Sequence, residues 1–193
     1  MLLALALSVS PPALAGVAAL DPASEARLAA GDVILIDRAS AREGAVSVEG
    51  IADVKASGDA LWHALLDFPA RLAGNSSVKS FEFYKPSTPT EQWGAWMASH
   101  FGVNIVYHNH YILDRAHGIL THELDLTQPN DLEWSKGVYT FAPSPNNPAW
   151  LRLSYAVDTD FGAAIPGFIK SWLCGQGVRD YMAELVHRAE GGT

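Results

Sequence analysis

Two histidines one residue apart, His108 and His110, form the first pattern in this chain that could do chemistry. On a strand, alternate side chains project to one side about 6.6 Å apart, close enough for two imidazoles to share a metal ion. A metal site normally takes three or four ligands, and His-x-His supplies two. Glu123 and Asp125 fall on the same face, which suits a solvated sheet surface with cross-strand charge pairing better than a buried metal site. His122 is the second candidate, an acid or base if it works with Tyr107, Tyr111 or Tyr155. A lone histidine among apolar residues is more often a satisfied core or binding group. Nucleophilic catalysis has no support, because no Gly-x-Ser-x-Gly elbow is present. Cys174 is the single cysteine; it can form no internal disulfide and reads as a small buried side chain. Neither a catalytic residue, a metal nor a cofactor is expected.

Four strand-like runs must position these side chains: Val103 to Asp114, Ile119 to Thr127, Glu133 to Phe141 and Trp150 to Asp158. Between them lie turn residues: His117-Gly118, Gln128 to Asp131 and Pro143 to Pro148. Centring the first turn on Ala116 and His117 sets Arg115 opposite Gly118, hence Tyr111 opposite His122 and His110 opposite Glu123. One face of that hairpin then carries Ile105, Tyr107, Asn109, Tyr111, Leu113, Leu120, His122, Leu124 and Leu126. The other carries Val106, His108, His110, Ile112, Thr121, Glu123 and Asp125. An apolar face with a few polar tips suits a cavity wall. The same alternation groups Gly137, Tyr139 and Phe141, and likewise Leu153, Tyr155 and Val157.

Upstream, Asp21 caps a short helix that Gly31 closes, and Asp32 to Arg38 and Val46 to Lys55 read as strands. Ala60 to Asp67 reads as a helix broken at Phe68-Pro69, and Ser77 to Tyr84 as a strand with Phe81 and Phe83 on one side. Glu91 to His100, carrying Trp93 and Trp96, is expected to be a short helix. A last helix runs from Pro166 to about Glu190, with Phe168, Ile169, Trp172, Val178, Tyr181, Met182 and Leu185 at helical spacing. Gly175 and Gly177 interrupt it, as points of close packing or as a hinge. Strands joined by short turns, followed by one long helix with an apolar face, make an α+β protein whose helix must bury that face on an antiparallel sheet.

The 193 residues suffice for a single domain with a sizeable core, and a formal net charge of −8 argues against a nucleic-acid partner and against broad adhesion to anionic lipid. The apolar start, ending in small residues at Ala13 and Ala15, reads as a secretory signal cleaved after Ala15, which would make the protein secreted or periplasmic.

Ala60 to Phe68 (ALWHALLDF), Gly137 to Phe141 (GVYTF), Leu151 to Tyr155 (LRLSY) and Ile165 to Ile169 (IPGFI), in this order of elements, resemble the START-like superfamily. This is also called SRPBCC and includes polyketide cyclases, lipid-transfer proteins and coenzyme Q-binding START-type proteins. The resemblance implies a helix-grip fold, a curved antiparallel sheet wrapped around a long C-terminal helix with a cavity between them. It spans 45–190 as a ligand-binding domain, leaving 1–15 as signal peptide and 16–44 as an N-terminal helix and strand extension. It further implies an apolar small-molecule partner, a lipid, sterol, quinone or polyketide-like compound, with any membrane contact local and transient. Binding or transport of that molecule is the expected function. The alternatives are a cyclase or aromatase using His122 on an enolisable polyketide, and a protein-interaction module exposing Trp93 and Trp96. Phe81, Phe83, Tyr139, Phe141, Leu153, Phe168 and Trp172 are expected to desolvate the ligand, and Tyr107, Asn109, Tyr111, His122 and Tyr155 to orient its polar end. Covering about 400 Å² of apolar ligand surface favours binding by roughly 10 kcal/mol before association costs.

Overall fold

Alternating apolar and polar side chains lay down one sheet of eight strands, every adjacent pair antiparallel. The strands are β1 (Ile34–Arg38), β2 (Val46–Val54), β3 (Val78–Phe83), β4 (Glu91–His100), β5 (Val103–Asp114), β6 (Ile119–Leu124), β7 (Trp134–Pro143) and β8 (Leu151–Asp160), in the order β1-β2-β8-β7-β6-β5-β4-β3. The helices are α1 (Pro22–Ala29), α2 (Gly58–Leu66), α3 (Phe68–Gly74), α4 (Gly167–Trp172) and α5 (Val178–Ala189), the last two joined by a π-helical turn, Leu173–Gly177. The computed structural model describes residues 20–40, 42–74, 77–163 and 165–192; the segment read as an export signal lies outside them. No helix among the described residues is long and apolar enough to cross a membrane.

The helix α5 buries Val178, Met182, Leu185 and Ala189, one stripe at helical spacing, against β2 and α2. Gly50 of β2 allows the close approach, because a Cβ there would lie 3.1 Å from Cγ of Met182. Each fully buried Leu or Met in this stripe contributes about 1.5–3 kcal/mol. The core continues through Leu61, Leu65 and Phe68 to Trp96, Tyr111, Leu120, Tyr139 and Leu153 on the sheet's inner face. Sheet and C-terminal helix thus form the α+β helix-grip arrangement.

On the outer face, Leu28 of α1 packs with Ile34 and Ile51. Asp21 caps α1 by accepting from the backbone N–H of Ala23 and Ser24. Beside this contact Arg152 donates to Asp53 at 2.8 and 3.1 Å and to Glu25 at 2.8 and 2.7 Å. Asn146 donates to both carboxylates. These bonds tie α1 to strands β2 and β8, and β1 continues the same sheet by pairing with β2.

The β5–β6 register is as expected, with Tyr111 opposite His122 and His110 opposite Glu123, closed by Gly118 at φ 66. Three expectations are corrected. Residues Glu91–His100 form strand β4, hydrogen-bonded between β3 and β5, so Trp93 and Trp96 lie on opposite faces. Gly94 permits that strand, since a Cβ there would overlap the Phe81 ring. Phe68-Pro69 starts a helix, α3: Pro69 sits in the first turn, where its missing N–H costs nothing, and Asp67 accepts from the backbone N–H of Ala70. Leu126 leaves the apolar face, because β6 ends at Leu124, and is 68% exposed. The final helix covers close to its expected span, interrupted as expected at Gly175 and Gly177, there by the π-helical turn.

Candidate functional site

Tyr107, Asn109, Tyr111, His122, Tyr139 and Tyr155 come together on the inner face, where β5 to β8 run side by side. Gly137, opposite His122, leaves room for the imidazole, which a Cβ at that position would overlap. Tyr139 stacks on Tyr155, centroids 4.1 Å apart and planes 6° from parallel. Nε2 of His122 lies 3.1 Å from the Tyr155 hydroxyl. The Tyr111 hydroxyl accepts from Nε1 of Trp96 at 2.8 Å and from Nδ2 of Asn109 at 3.3 Å. Tyr139 donates to the hydroxyl of Tyr181, which reaches in from α5, at 2.9 Å.

Electrostatically the region is set by burial. Burial first, then the charge of Arg71, lowers the His122 imidazole to about 3, so it is neutral at physiological pH. Burial likewise pushes Tyr107, Tyr111, Tyr139 and Tyr155 above the ordinary phenol value and keeps their hydroxyls protonated. Three buried polar atoms here have no hydrogen-bond partner: Oδ1 of Asn109, Nδ1 of His122 and Oε1 of Gln92, which stands opposite Tyr111 on β4. Buried polar groups are nearly always satisfied, so such atoms mark places where something else bonds.

Arg71, Trp96, Tyr181 and Gln92 belong to this cluster and were not among the expected site residues. Arg71 projects from α3 with its guanidinium carbon 4.6 Å from the Tyr181 ring centroid, 4.7 Å from Trp96 and 5.6 Å from Phe68. The sequence signal was faint: a capping Asp67 followed by Phe68-Pro69-Ala70-Arg71, a helix start that also reads as a helix break.

The remaining expected residues sit further out. Leu153 is fully buried in the core, and Phe141 packs edge-on against Trp62 at 5.3 Å. Phe81 is half-buried, 4.5 Å from Trp96, whereas Phe83 lies on the edge strand and is 48% exposed. Trp172 stands apart from the cluster, stacked on His100 at 3.6 Å. Phe168 is 61% exposed and pairs with Phe101, itself 66% exposed, at 5.5 Å. Cys174 is half-buried between the main core and the smaller cluster of Ile105, Phe161, Ile165 and Ile169; burial pushes its thiol to about 11.

The outer face carries a groove of about 460 Å³ lined by Lys85, Trp93, His110, Asp125, Leu126 and Trp134, among others. Its polar groups largely answer one another. Asp125 accepts from Lys85 at 2.8 Å and Tyr84 at 2.9 Å; burial works upward on its carboxyl, yet these bonds and those from Thr127 hold it well below the usual range. His110 stacks on Trp93 at 4.8 Å, and Nδ1 of His108 contacts the Pro129 carbonyl at 2.9 Å. Among the described residues no three His, Cys, Asp or Glu side chains are grouped to hold a metal ion.

No protein-family model and no curated protein matches the sequence. Solved structures do match the fold. A STAR-related lipid transfer protein from Xanthomonas axonopodis superposes with a TM-score of 0.64 at 18% identity, over 81% of this chain and 93% of that one. The Zhui aromatase/cyclase from Streptomyces sp. R1128 gives 0.60 at 15% identity over 77% and 99%. A START superfamily protein from Mycobacterium smegmatis gives 0.59 at 17% identity over 75% and 97%. The chain has the START-like, or SRPBCC, fold. At these identities the likeness is one of fold, and what the interior does must be argued from its own residues.

Proposed function

We propose that this chain binds, and carries or stores, an apolar small molecule such as a lipid, sterol, quinone or polyketide-like compound between the inner face of the sheet and the C-terminal helix. The observation behind this reading is the set of unpartnered atoms, Asn109 Oδ1 and His122 Nδ1, within an aromatic wall and on residues only 5% exposed. A ligand's polar end would satisfy them while its body meets Tyr139, Tyr155 and Trp96. The π-helical turn at Leu173–Gly177 is the natural place to open, since π turns recur at functional sites and a Cβ on Gly175 would meet nothing. Phe101 and Phe168, exposed near that corner, would touch a lipid surface transiently during uptake. General-base catalysis of the cyclase kind is not favoured, because an imidazole held at about 3 is a far weaker base than one poised near neutrality.

Native mass spectrometry of the purified chain, with organic extraction of whatever accompanies it, tests the proposal. A stoichiometric apolar molecule is expected; a clean empty mass, together with no uptake of such molecules from vesicles, would overturn it.

A further inference from the structure

Arg71 is half-buried, and an arginine drawn out of water is normally answered by a carboxylate, since an unpaired charge there is costly. No carboxylate among the described residues pairs with Arg71; the titratable groups that feel its charge are Tyr181, Tyr139, Tyr111, Tyr107, Tyr155 and His122. The ring faces of Tyr181 and Trp96, at 4.6 and 4.7 Å, offset part of the cost of holding the cation. They accept none of the hydrogen bonds that the planar guanidinium offers at its edge.

The hydroxyls around it are also left with protons to give. Tyr111 already accepts from Trp96 and Asn109, which fills both lone pairs of its oxygen and leaves its own proton free to donate. Tyr181 accepts from Tyr139, so its own proton is likewise available to donate. Where Tyr155 donates to Nε2 of the neutral His122, the ring's single proton resides on Nδ1, the atom without a partner. One cation and several unspent donors therefore converge on one region, beside the two unpartnered amide oxygens of Asn109 and Gln92, with no anion among the described residues to answer them.

We propose that the molecule bound there is an amphipathic carboxylate, its headgroup on the edge of the Arg71 guanidinium with the Tyr111 and Tyr181 hydroxyls donating to it, its apolar body along the aromatic wall. This rests on the reading that the interior takes an apolar molecule, and adds a charge to that molecule. One guanidinium supplies one positive charge in a planar fork that matches a carboxylate's two oxygens. A phosphate ester would bring further charge and polar bulk for which the described residues of the cluster supply no second cation.

The test compares dodecanoate with methyl dodecanoate, titrated calorimetrically near neutral pH into the delipidated chain and into Arg71→Met and Arg71→Lys variants. The acid is expected to bind one per chain, at least about ten-fold more tightly than the ester. Arg71→Met should abolish the acid's advantage over the ester, and Arg71→Lys should restore part of the difference. Equal affinity for acid and ester, or a preference that survives Arg71→Met, overturns the carboxylate inference and leaves the carrier reading in place. If Arg71→Met does not fold, the acid and ester comparison on the unsubstituted chain decides. If neither compound binds, the extracted molecule decides: an acid upholds the inference, a neutral molecule overturns it, and an empty chain overturns both.

Discussion

Arg152 and Arg71 lie on either side of one sheet. On the outer side Arg152 gives four hydrogen bonds of 2.7–3.1 Å to Glu25 and Asp53, and Asn146 completes the set. On the inner side Arg71 meets ring faces, the Tyr111 hydroxyl with both lone pairs filled and the Tyr181 hydroxyl with one. The outer arrangement is closed: charge and hydrogen-bonding capacity are met within the protein, and the result is a clamp holding α1 to the sheet. The inner one is open, with donors and two amide oxygens that find no partner among the described residues. Polar groups buried to hold a fold together and polar groups buried to hold a ligand differ in that accounting, more than in residue type or depth.

The comparison breaks most directly by removing each cation in turn. Arg152→Met strands Asp53 and Glu25 and should cost about 3–5 kcal/mol in urea unfolding. Arg71→Met removes a charge that has no partner and should leave the empty protein within about 1 kcal/mol of its parent, or more stable. Losses of equal size would make Arg71 a structural group and erase the distinction.

Acid should separate the two sides by pH window. His122 is held at about 3 in the folded chain against an ordinary value near 6.5, so below about 6.5 the unfolded state binds the proton more readily. Its stabilising contribution is thus complete above about pH 6.5 and is lost as the pH falls toward 3, at up to about 1.4 kcal/mol per pH unit. Hydrogen bonds from Arg152 lower the Glu25 carboxyl; at Asp53 burial pushes upward but the bonds from Arg152, Asn146 and Ser144 prevail. Those carboxylates give up their contribution only below about pH 4. The unfolding free energy should therefore decline between about pH 6.5 and 4.5, and His122→Phe should flatten that decline. A curve for the parent already flat in this window would remove the neutral buried imidazole from the site.

Gly137→Ala sharpens the inner side, because its Cβ must displace the His122 ring. A loss of about 1–3 kcal/mol is expected in chemical denaturation, together with a changed histidine NMR signal from the disturbed contact with Tyr155. The smallest effect on stability belongs to Phe101→Ser with Phe168→Ser. The exposed pair should matter by no more than about 0.5 kcal/mol to folding while slowing uptake of a lipid probe from vesicles. An unchanged uptake rate would place the way in elsewhere.

The hairpin that carries the site was legible from local rules. Alternation sorted Tyr107, Asn109, Tyr111 and His122 onto one face, and the turn at Ala116-His117 set their cross-strand partners. β4 was misread because two tryptophans three apart fit a helix face as well as the two faces of a strand. The choice was made by β3 and β5 hydrogen-bonding on its two sides. Phe83 and Phe168 share the residue type and spacing of the wall but stand at a sheet edge and on an exposed helix start, positions that depend on what lies beside them.

By itself the sequence determined every strand but β4, the principal register, the apolar stripe of the last helix and hence the fold class, because alternation, turn chemistry and helical period are properties of neighbouring residues. Only the tertiary structure decided that Arg71 faces Trp96, Tyr181 and Phe68, that Tyr111 has its acceptor capacity filled, and that His122 stays neutral. Those facts depend on residues from α3, β4, β5, β6 and α5 meeting in one place, and burial and hydrogen-bond satisfaction exist only once they have met.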